Sequence, residues 1–80
     1  MENEQIKNII IKLYQNREQE IYSEVMRIIE CMQIEVQEQL KNGAEQNAVC
    51  VLNCLKELIE KYKNHDMIGM ADVLTIYNSQ

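Results

Sequence analysis

Cys50 and Cys54 stand four residues apart, the one pair in the chain whose residue types and spacing suit chemistry. On a helix, positions i and i+4 share a face. Two thiols there are within reach of a shared metal or of each other's redox chemistry. A structural zinc site takes four ligands, and only Cys31 and His65 remain to complete one. A CxxxC pair is also a weak pattern beside two CxxC pairs at finger spacing. Relative to Leu55, Cys54 lies about 100° and Cys50 about 140° round the helix, at the flank of an apolar stripe. The plainer reading is cysteine used as a small hydrophobe at a second packing surface, with no metal and no cofactor. A metal-sensing or thiol-redox regulator built on Cys50 and Cys54 stays open as the alternative.

His65 is the single histidine, in the polar stretch Asn64-His65-Asp66. There it suits the negative end of a helix dipole. The sequence offers no nucleophile with a matching base, no glycine-rich phosphate loop and no pair of carboxylates set apart from the rest, so no catalytic residue is assigned. Glu18, Glu20, Glu24, Glu30, Glu35 and Glu38 are spread along one segment and are partly balanced by Arg17, Arg27 and Lys41. A solvated face is the ordinary meaning of such a pattern. The functional alternative is an acidic ridge that docks on a basic groove, as in an acidic inhibitor of a nucleic-acid-binding enzyme.

Thirteen acidic against eight basic residues give a net charge of −5. The basic residues never form a stripe, and none follows Lys63, which speaks against direct nucleic-acid binding and against a helix-turn-helix reader. No apolar run approaches the roughly 18–20 residues that span a bilayer, so no membrane partner is expected. An odd number of cysteines and a beginning, MENEQIKNII, without a basic and apolar leader point to a cytoplasmic, reducing compartment. A chain of 80 residues buries only about 60% of its unfolded surface, so a partner or a second copy, most simply a homodimer, is expected to supplement the core.

The elements that must position these residues are helices. Proline is absent, there are two glycines, and Glu, Gln, Lys, Leu, Met and Ile dominate, all good helix formers except the β-branched Ile. The spacing predicts helices over residues 3–15, 17–41, 44–64 and 67–78. The first stripe contains Ile6, Ile10 and Leu13, and the second Ile21, Val25, Ile28, Ile29, Met32, Val36 and Leu40. The apolar phase slips between Gln15 and Glu20, and Asn16 with Gln19 fits a loose capping box, so a break is expected there. One continuous helix is the alternative. Asn42-Gly43 is a stop signal, since glycine readily takes the left-handed conformation that ends a helix. The third stripe runs Ala44, Ala48, Val51, Leu52, Leu55, Leu58, Ile59 and Tyr62. Asp66 is the expected N-cap of the last helix, which is apolar on most faces and must be covered on more than one side.

The stretch Asp66-Met67-Ile68-Gly69-Met70-Ala71-Asp72-Val73-Leu74 resembles a D-x-I-x-x-A-D-x-L segment at the ends of small helical bacterial proteins of unknown role, some of them from motility gene neighbourhoods. It departs from that pattern after Leu74, where Thr75-Ile76-Tyr77 replaces a more acidic continuation. The resemblance implies a bacterial or phage origin and a helical hairpin capped by a short last helix.

The fold expected is all-α, a small antiparallel bundle of three to four helices around a central αα-hairpin, in one domain. The expected function is a non-enzymatic protein–protein interaction module, self-associating, that serves as a small adaptor, chaperone or inhibitor. Its interface is expected to use Ile6, Ile10, Leu13, Met67, Met70, Leu74 and Tyr77.

Overall fold

The structure, a computed structural model, describes residues 3–15 and 18–79, with the side chains of residues 18–20 excepted. Those residues form four helices, α1 (Asn3–Tyr14), α2 (Glu18–Lys41), α3 (Glu45–Lys63) and α4 (Met67–Asn78), and no strand. Each boundary falls within about a residue of the one expected from periodicity. α1 and α2 are separate helices, so the alternative of one continuous helix does not hold. The Asn16–Gln19 capping box lies outside the described residues.

Two turns of the same kind fold α2 onto α3 and α3 onto α4. At the first, the Gly43 N–H donates to the Leu40 carbonyl at 3.2 Å and the Ala44 N–H to the Gln39 carbonyl at 2.9 Å. This is a Schellman motif, whose pivot residue must be left-handed, and Gly43 has φ +76°. At the second, the His65 N–H donates to Tyr62 and the Asp66 N–H to Lys61 in the same pattern. Here the pivot is His65, with φ +54°. Histidine is among the few residues with a Cβ that are enriched in this region. Asp66 then caps α4, its Oδ1 accepting from the Gly69 N–H at 2.9 Å. Gly69 permits this close approach, because a Cβ there would sit 2.4 Å from the Asp66 Oδ2.

Each helix packs against the ones before and after it, and α4 closes the ring against α1. Named contacts fix the directions. Tyr22 at the start of α2 meets Tyr62 at the end of α3, ring centroids 5.2 Å apart and edge to face. Lys12 near the end of α1 pairs with Glu24 near the start of α2, Nζ to Oε1 3.1 Å. Tyr14 at the end of α1 donates to Asp72 in the first half of α4 at 2.9 Å. Neighbours in the ring are therefore antiparallel, as in an up-and-down four-helix bundle.

The buried residues among those described are all apolar, with Leu13, Ile21, Val25, Ile28, Met32, Leu58, Met70 and Leu74 the most enclosed. α4 lies against both α1 and α3, which answers the need of its apolar faces for cover on two sides. That packing corrects the expected interface. Ile6, Leu13, Met67, Met70 and Leu74 are core residues of the chain itself, and Ile10 and Tyr77 are partly buried against them. On α1 it is Ile9, with Ile6 and Leu13, that points inward.

At about 1.5 Å per residue α2 is about 36 Å long, whereas α1 and α4, of 12 residues each, reach only about 18 Å. The α2–α3 hairpin therefore outruns its cover. Leu40, expected on the core stripe, is 53% exposed on this overhang. Val49 is exposed to the same degree, and Ile34 is 58% exposed.

Candidate groove where the short helices end

Where α1 begins and α4 ends against the middle of α2, the step in length leaves an open groove of about 570 Å³, within the usual range for ligand sites. Its apolar floor is Ile6, Ile28, Met32 and Val51. Ile34, Glu35 and Glu38 of α2 and Tyr77 and Asn78 of α4 line it as well. Glu35 and Glu38 are three residues apart, hence side by side on the helix surface. Among the described residues no lysine or arginine lines the groove.

The polar groups are arranged by the fold. The Tyr77 hydroxyl donates to the Glu35 Oε2 across α4 and α2. Burial first, then that hydrogen bond and the carboxylate's charge, push the hydroxyl far above the usual tyrosine range, so it remains a donor through neutral and mildly alkaline pH. Asn78 sits one residue further on. Its Oδ1 is buried, and no donor among the described residues reaches it. A buried acceptor left in that state costs about 1–3 kcal/mol.

The residues singled out for chemistry are not brought together. Cys50 is exposed and Cys54 is buried against the core, and no disulfide involves any of the three cysteines. Cys50 and Cys54 keep their i,i+4 spacing on α3, with one side chain exposed and the other buried. Cys31 lies in the groove on α2 instead. Among the described residues no group of three or more His, Cys, Asp or Glu side chains could hold a metal ion. His65 pivots the second turn, its Nδ1 2.6 Å from the Tyr22 hydroxyl and its ring edge to face with Tyr22. Its neighbours tie α2 to the α3–α4 turn, and the contact is explained by packing. The acidic segment divides: Glu24 is paired with Lys12, Glu35 and Glu38 face the groove, and Glu30 is exposed. Glu18 and Glu20 belong to the side chains outside the description.

Sequence reasoning missed the groove because it follows from the relative lengths of packed helices. The sequence places Ile6 and Tyr77 at an expected interface and Glu35 and Glu38 on an acidic ridge, but nothing in it joins them in one groove. No described helix is long and apolar enough to cross a membrane. Compared with known proteins, the chain matches no family model, no curated sequence and no solved structure.

Proposed function

We propose that this all-α bundle is a non-enzymatic protein-binding module that holds its partner at the groove beside the overhanging hairpin. The observation that supports it is the conjunction at one place of an uncovered apolar side chain, Ile34, an apolar floor, and a buried acceptor, Asn78 Oδ1, without a partner among the described residues. Peptide and protein sites of the helix-in-groove kind have this composition. Scattered exposed apolar residues elsewhere, such as Ile11 and Ile68, need no such explanation.

The test is site-specific photocrosslinking in the source cell, with a photoreactive amino acid replacing either Ile34 at the groove or Ile68 at the far end of α4. A discrete protein adduct formed from position 34 and absent from position 68 is the expected outcome. Equal labelling from both positions, or none from position 34, removes the groove as the binding surface. An adduct of twice the chain's own mass identifies a second copy as the occupant.

A further inference from the structure

We infer that the occupant of the groove is a basic amphipathic helix of a protein partner, about three turns long, whose Lys or Arg side chains pair with Glu35 and Glu38. The inference rests on the reading of the groove as a docking site and names the chemistry of what docks there.

Charge complementarity is the first argument. Among the described residues the lining carries two carboxylates and no cation. The ion pairs Lys12–Glu24 and Lys61–Asp66 lie elsewhere. Adjacent like charges on a helix face repel by a few tenths of a kcal/mol, and an incoming cation turns that repulsion into attraction. An acidic segment meets the opposite. The chain as a whole has a net charge of −5, so the long-range field steers the same class of partner.

Donor demand is the second. The Glu35 carboxylate accepts from the Tyr77 hydroxyl, and neither it nor Glu38 has a charged donor among the described residues. Lysine brings three N–H donors and arginine five, with no acceptor. A guanidinium or ammonium thus supplies what the site lacks. Tyr77 acts as a positioning residue, since its bond holds Glu35 in place before the partner arrives.

Shape is the third. A bare cation would leave Ile34, the exposed apolar side chain of the lining, uncovered, so the occupant also presents an apolar face. The lining along α2 runs from Ile28 to Gln39, about 17 Å or three helical turns. An amphipathic helix of that length, with apolar side chains at i, i+3, i+4 and i+7 and basic ones flanking them, matches the groove in both respects.

A display library of random 16-residue peptides, selected against the full chain, tests this without knowledge of the natural partner. The expected result is enrichment of peptides with helical apolar spacing and an excess of Lys and Arg. Their amide-shift perturbations should map to residues 31–39, Tyr77 and Asn78. The double variant Glu35→Gln with Glu38→Gln should weaken binding about tenfold or more, and added salt should weaken the wild type more than the variant. Far-ultraviolet circular dichroism on the variant, which changes two surface side chains isosterically, confirms the fold. Peptides that map to the groove but are neutral or acidic, or that bind wild type and variant alike, overturn this inference and leave the groove as a docking site. A selection that enriches nothing at the groove overturns both. Sedimentation that shows a dimer dissociated by Ile34→Asp overturns the inference by naming a second copy.

Discussion

Replacing Tyr77 with phenylalanine removes one oxygen and tests whether α4 is tied to α2 at the groove. A hydrogen bond to a charged acceptor contributes about 1.5–3 kcal/mol, and partial exposure of Tyr77 and Glu35 lowers that to about 1–2 kcal/mol. For a domain of this size each kcal/mol shifts Tm by about 4–8 °C. Tyr77→Phe should therefore melt roughly 4–16 °C below the wild type at pH 7. The pH dependence sharpens the test. The Tyr77 pKa is raised in the folded state from its ordinary 10.0, so its stabilisation is fully present below pH 10 and is lost as pH rises from there towards the folded value. In that window each pH unit removes at most about 1.4 kcal/mol for this one proton, less with solvent screening. Phenylalanine has no such proton. Urea denaturation of both proteins at pH 7, 9 and 11, followed by circular dichroism, should show a gap that is constant to about pH 9 and about 1 kcal/mol narrower at pH 11. Tyr14, raised chiefly by its hydrogen bond to Asp72, is common to both proteins and cancels in the difference. A gap that is absent at pH 7, or that widens at pH 11, would refute the link between α2 and α4.

Three further predictions concern the scaffold. Leu58→Ala, at a residue with no exposure, should cost about 2–5 kcal/mol in urea denaturation, whereas Leu40→Ala on the overhang should stay within about 0.5 kcal/mol; equal costs would place Leu40 in the core. Gly43→Ala meets no atom within 4 Å but must hold φ +76°, so it should cost about 1–2 kcal/mol from backbone strain alone, and Gly43→Asn, which tolerates that region better, should cost less. Cys54→Ser should destabilise by about 1–3 kcal/mol through burial of a hydroxyl, Cys50→Ser should be neutral, and elemental analysis of both should match the wild type; loss of a bound metal from either variant would revive the thiol site.

The helices were legible because each depends on neighbours in sequence. Gly43 as a left-handed stop and Asp66 as a cap follow from the preferences of single residues, and both have the expected geometry. Which apolar positions face inward was less legible. α1 carries Ile6, Ile9, Ile10, Ile11 and Leu13 on most of its circumference, so periodicity alone could not choose Ile9 over Ile10; contact with α4 and α2 chose it. Cys54 was placed at the flank of the α3 stripe, yet it is buried, because α3 is covered from two sides and its buried arc is wider than one stripe. The second turn was recognised as a turn, but nothing local marked His65 as its pivot. The groove was illegible for a different reason: it is a difference between the lengths of elements that meet only in the folded chain. Glu35 and Tyr77 are 42 residues apart, and no short-range pattern joins them.

Antiparallel closure of α1 against α4 puts Asn3 and Asn78 on the same rim. An affinity tag or fluorescent protein fused at either end would start near the mouth of the groove and would compete with the proposed partner at high local concentration. An acidic tag would repel the partner proposed here and a polyhistidine or polylysine one would imitate it. A binding measurement on this protein thus depends on which label it carries, and a label inserted at the Gly43 turn, held away from that rim by the hairpin, should report a different affinity from one fused at the ends.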